Sequence, residues 1–141
     1  MTTKIINTLT VLVLLLIAAM ASAQTVQRVT VTVPFSFVAG SHNLPAGDYT
    51  IELNYEKATM ILRSEASGSI NPVVMLATNS EEAANSRSYA IFQHYGPHYF
   101  LAGVWRQGAG QTLTPGKLQR ELASKGGTGE VARVEVRLSP Q

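Results

Sequence analysis

Cysteine is absent from all 141 residues. The chain therefore has no disulfide, no thiolate metal ligand, no thiol nucleophile and no cysteine to carry a lipid. Charge is also sparse. Only 14% of residues are Asp, Glu, Lys or Arg, against about 25% in an average globular domain. The two signs nearly cancel, leaving +2. The arginines from Arg28 to Arg137 are scattered, so the clustered basic footprint of a nucleic-acid-binding protein is missing. Histidine occurs three times, at His42, His94 and His98. A zinc centre needs three or four protein ligands, so carboxylates would have to complete any set.

Long apolar runs are missing too, with one exception. Leu9 to Ala19 is apolar, preceded by Lys4 and followed by Ala21-Ser22-Ala23. That is the layout of a cleaved export signal, with small residues flanking the cut. The run is shorter than the ~20 residues that cross a bilayer. Residues 1–23 are read as a signal peptide cut between Ala23 and Gln24, and 24–141 as one exported β-rich domain. No transmembrane anchor is expected after cleavage. A chain of that size buries a core without disulfides.

What is present is mostly alternation. Val29, Val31, Val33, Phe35 and Phe37 alternate with polar residues, the period of two that puts one face on a core. Pro34 marks an edge, a bulge or a change of sheet. Leu44-Pro45-Ala46-Gly47-Asp48 reads as a turn. Further strands are expected from Tyr49 to Asn54, Ala58 to Arg63, Ile70 to Thr78, Arg87 to His94, His98 to Trp105 and Val131 to Leu138. Val73-Val74-Met75-Leu76 lacks alternation, which predicts a strand covered on both faces. Gln107-Gly108-Ala109-Gly110 reads as a flexible link. Thr114 and Pro115 read as the N-cap and first residue of a helix. Leu118 and Leu122 would face the sheet, and Gly126-Gly127 would stop the helix.

The sum is a mainly β, single-domain antiparallel sandwich or small half-open barrel, with about seven strands and one short helix near the C-terminus. In the His98–Trp105 strand, Tyr99, Leu101, Gly103 and Trp105 are expected on one face and Phe100, Ala102 and Val104 on the other.

Catalytic constellations are weak. His94 and His98 flank the Tyr95-Gly96-Pro97 turn, but two imidazoles are not a metal site. Ser67 lacks the Gly-x-Ser-x-Gly frame of a nucleophile elbow. Glu81 and Glu82 are adjacent in a polar loop, and Asp48 follows a turn glycine. Gly108-x-Gly110 lacks the third glycine of a phosphate loop. No catalytic residue, metal or other cofactor is assigned. The aromatics Phe35, Phe37, Tyr99 and Trp105 are the candidate ligand-lining or core residues. Core packing is the ordinary fate of such rings, and an aromatic-lined barrel cavity is the functional alternative.

Val33-Pro34-Phe35-Ser36-Phe37, then Leu44-Pro45-Ala46-Gly47-Asp48-Tyr49-Thr50-Ile51, resembles the "VPFxF … LPAGxYxV" opening of small exported proteins of Acidobacteria and related soil bacteria. Tyr99-Phe100-Leu101-Ala102-Gly103-Val104-Trp105 and Gln119-Arg120-Glu121-Leu122-Ala123 are similar to their "YFLxxVW … xxELA" segment. Gly103 departs from that pattern, where an acidic or larger residue is frequent. The resemblance implies export and a shared β-rich fold, and carries over no activity or site residue.

The expected role is therefore an exported envelope protein, periplasmic or extracellular. It would be a non-enzymatic structural or protein-interaction module whose partner is another envelope protein. The alternative is a carrier of a small apolar ligand. A nucleic-acid partner is not expected.

Overall fold

The structure, a computed structural model, describes Thr2 and residues 26–66, 71–81 and 87–138. The signal segment, the cut at Ala23 and Gln24, and the loop residues Ser67 and Glu82 lie outside the described residues.

Ten strands and one helix are present among the described residues. β1 (Val26–Val33) and β4 (Gly47–Asn54) pair antiparallel over their whole length, and β5 (Thr59–Ser64) pairs the far side of β4. β6 (Val73–Glu81) follows β5 through Leu76, then leaves it and pairs β9 (Ala109–Leu113) from Ala77 onward. β10 (Glu130–Leu138) makes the opposite corner. Glu130 to Glu135 pair with β7 (Tyr89–Tyr95), and Val136 to Leu138 pair with β1. β8 (His98–Arg106) joins β7 on one side and β9 on the other, which returns the ladder to its start. Strands that switch sheets at two corners give a flattened barrel, so sandwich and half-open barrel describe the same object here.

The strand count exceeds the expected seven because three short pieces carry too little alternation to be read. β2 (Phe37–Ala39) and β3 (His42–Leu44) form a small hairpin that hangs off β8 through a parallel contact, Val38 opposite Phe100. Gly40 turns it at φ 61°, a conformation that favours glycine. β9 is the Gly-rich stretch expected to be flexible; Gln107 and Gly108, both at positive φ, reverse the chain into it.

The core is the inward row of each strand. Val29, Val31 and Val33 of β1 meet Tyr49, Ile51 and Leu53 of β4, then Met60, Leu62, Val73 and Met75. Ala90, Phe92, Leu101 and Val104 close it from the other face. The outer face of β1, β4 and β5 is polar: Arg28 and Arg63 both reach the Glu52 carboxylate, at 3.0 and 3.6 Å. On β10, Arg133, Glu135 and Arg137 point out while Ala132 and Val134 pack on the core, as the alternation requires.

Two expectations about facing are corrected. In β8, Phe92 lies opposite Leu101 but Ile91 lies opposite Gly103, so Ala102 is an extra residue. That bulge inverts the alternation beyond it. Tyr99, Leu101 and Val104 face the interior, while Phe100, Gly103 and Trp105 face outward. The helix α1 (Lys117–Ser124) starts after Gly116, not at Thr114 and Pro115, and its cap makes no side-chain bond. Its buried residue is Gln119, whose side-chain amide donates to the Gln93 Oε1 at 2.7 Å; Leu118 is 46% exposed. The helix docks on β7 through a polar contact because the outer face of β7 there presents Gln93. Among the described residues no helix is long and apolar enough to cross a membrane.

Candidate functional site

Phe35, Phe37 and Tyr99 meet where β1 gives way to β2. Phe35 stacks on Tyr99 with centroids 3.9 Å apart and lies edge-on to Phe92 at 5.1 Å. Phe37 is edge-on to both Phe92 and Tyr49, at 5.3 and 5.2 Å. The rings pack on their neighbours; Phe37 and Tyr99 also border, with Pro97 and His98, a surface groove of about 170 Å³. Trp105 is not among them, because the Ala102 bulge turns it outward. Its indole lies flat across Gly103 and Gly110 and stacks on Tyr89 at 5.7 Å. The Arg133 guanidinium sits 5.2 Å from the Tyr89 ring, within cation–π range.

The histidines do not converge. His94 points inward, stacks on Tyr99 at 4.9 Å, and its Nε2 lies 2.8 Å from the Glu130 carboxylate. His98, four residues on across the turn, is exposed on the outer side beside Phe100. His42 is exposed on β3. Among the described residues no three His, Asp or Glu side chains are grouped to hold an ion. Asp48 and Glu65 border an outer groove of about 540 Å³, and their carboxylates accept hydrogen bonds from the Thr32 and Thr50 hydroxyls. Those bonds tie both carboxylates to the sheet. Tyr49 is buried, and burial pushes its phenol above the usual tyrosine range. Its hydroxyl donates to the Pro45 carbonyl at 2.6 Å, which pins the Leu44–Asp48 turn to the core.

The surface that alternation misjudged is on β6. Val73 and Met75 are buried, but Val74 and Leu76 are 65% and 82% exposed. The expectation that this strand is covered on both faces is therefore wrong. The apolar run Val73–Leu76 is continuous because one side packs inward and the other is an apolar patch facing solvent. Beside it runs a groove of about 480 Å³, lined by Gly40, Ser41 and His42 at the hairpin tip and by Leu113 and Thr114. A companion groove of about 500 Å³ lies on the other side of the tip, between Val38, Phe100 and α1. Among the described residues, the lining of the β6 groove contains no Asp, Glu, Lys or Arg. Neighbouring apolar exposure of this kind is a mark of contact surfaces.

No family model, curated protein or solved structure matches the chain.

Proposed function

We propose that this is an exported, non-enzymatic protein-interaction module of the envelope. Its partner is another envelope protein presenting an extended, uncharged segment to the groove between the β2–β3 tip and β6. The observation that carries this reading is the pair Val74 and Leu76, exposed at alternate positions beside a groove without charged lining. Two side chains at that spacing match the period of an extended peptide. Charged lining would favour a charged partner, and the described residues lining this groove include no Asp, Glu, Lys or Arg.

Affinity follows from the same residues. Burying both side chains gains about 2–5 kcal/mol before association costs. A micromolar complex needs about 8 kcal/mol, so the patch supports a weak contact or one part of a larger interface. The packing of Phe35 on Tyr99 favours this module over the apolar-ligand carrier, whose cavity those rings would have to line.

Two experiments test it. N-terminal sequencing of the chain recovered from the envelope is expected to begin at Gln24; a retained Met1 would remove the export reading. Purified chain titrated by NMR with neutral hexapeptides alternating Val and Thr is expected to shift the Val74, Leu76 and Gly40 amides. Leu76→Asp is expected to abolish those shifts while leaving the fold intact. Shifts that survive this substitution, or that fall elsewhere, overturn the site.

A further inference from the structure

β6 has a free edge. Its first half pairs β5, with Met60 opposite Met75 and Ile61 opposite Val74. Its second half pairs β9, from Ala77 opposite Leu113 onward. β9 ends at Leu113, and the chain leaves through Thr114 and Pro115 toward α1. Val73 to Leu76 therefore have β5 on one side and, among the described residues, no strand on the other.

The direction of the backbone groups follows from one bond. The Ala77 N–H donates to the Ala58 carbonyl at 2.9 Å, on the β5 side. Opposed residues in an antiparallel ladder alternate between hydrogen-bonded and non-hydrogen-bonded pairs. Ala77, Met75 and Val73 thus point their main-chain groups at β5. Val74 and Leu76 point theirs the opposite way, toward the groove of about 480 Å³ that both residues line. The two residues with exposed side chains are also the two whose main chain faces the groove.

The rest of the groove shapes its occupant. Gly40, at the hairpin tip, packs on the buried Met75: a Cβ there would stand 3.4 Å from Met75 Cγ. The tip is therefore the inner wall, and a strand lying on it has little room for an inward side chain. Leu113 and Thr114 line the end toward β9. Sheet edges are ordinarily guarded by charge, proline or a bulge. Pro72 stands at the start of this one, but Val73-Val74-Met75-Leu76 carries no charge. A second folded copy does not fit, because its own β6 edge lies behind its own tip. A single extended segment does.

We propose that the partner binds by strand addition, as a short uncharged segment that runs antiparallel to β6 and prolongs the line of β9. This rests on the groove being the contact site proposed above, and it names how that groove recognises its partner. One residue of the segment exchanges both main-chain hydrogen bonds with Val74, and the residue two positions away faces Leu76. Their side chains lie outward beside Val74 and Leu76, where apolar and β-branched residues pack well. The residue between them lies opposite Met75, faces Gly40 and is small. Main-chain bonds then supply affinity, and the alternate side chains supply selectivity.

The test offers the purified chain the hexapeptide alternating Val and Thr in three forms: unmodified, N-methylated at its valines, and N-methylated at its threonines. NMR shifts and amide hydrogen exchange are the readouts. The unmodified form is expected to shift the Val74 and Leu76 amides and to slow exchange at Val74. Valine methylation removes the N–H groups that face β6 and is expected to weaken binding about tenfold. Threonine methylation is expected to leave binding within about twofold, because those N–H groups point away from β6. If both methylated forms bind as the parent does, the peptide lies on side chains alone; strand addition is overturned and the groove stands as the contact site. If the unmodified peptide shifts neither Val74 nor Leu76, the contact site itself falls, and strand addition with it.

Discussion

Trp105 and two glycines form one unit. A Cβ on Gly103 would stand 2.5 Å from the indole and 2.9 Å from the Gln111 carbonyl oxygen. The absence of a side chain at Gly103 is thus what lets Trp105 lie flat. Gly103→Ala is expected to cost about 1–3 kcal/mol, read as a lowered urea midpoint with a changed tryptophan emission. Tyr49 gives a pH dependence. The unfolded phenol ionises near pH 10, whereas the buried one is held above that value. The folded chain therefore keeps a proton that the unfolded chain gives up. The contribution is fully present below about pH 10 and is lost as pH rises through the folded value. Tyr49→Phe is expected to reduce the alkaline slope of stability, with Tyr55 supplying the remainder in the same direction. At neutral pH the same change is expected to cost about 1 kcal/mol through the lost bond to Pro45. Urea titrations at several pH values check both. None of these couplings is visible along the chain, because Tyr49 and Trp105 depend on what lies opposite them.

The elements differ in how openly they are written. β1, β4 and β10 alternate cleanly, so their inward rows were legible from Val29, Ile51 and Val134. β8 alternates as well, but its bulge at Ala102 inverts the pattern, and one extra residue moves Trp105 from core to surface. β9 was illegible because Gly110 is there to clear the indole, and glycine reads as a link. Two turns hold non-glycine residues at positive φ, Ala58 at 49° and Gln107 at 52°. Such residues are strained by their Cβ. Ala58→Gly is expected to raise stability by about 0.5–1 kcal/mol, measured as an increase in urea midpoint. Gln107→Asn, followed by Gly108, gives the Asn-Gly pair that two-residue hairpins prefer, and is expected to act in the same direction.

For the molecule as a whole, closure depends on two corner strands. Among the described residues β10 alone joins β7 to β1. Truncation after Ser124 would leave both with unpaired edges, and is expected to yield an aggregating chain without a cooperative thermal transition. The β6 patch makes the opposite prediction. Leu76→Asp is expected to leave stability within about 0.5 kcal/mol, while Met75→Asp, one residue away and facing inward, abolishes folding; circular dichroism melts separate the two. The residue order by itself determined the β class, the single domain, most strand spans and the absence of thiol chemistry. Those follow from local period, turn residues and composition. Only the tertiary structure decided which side of β6 stays open, that Trp105 lies outside, and that Gln111 is buried between Asn79 and Val104. An alternating pattern records that a strand has two faces. What covers each face, and which distant strand supplies its neighbour, is set by the register of the closed ladder.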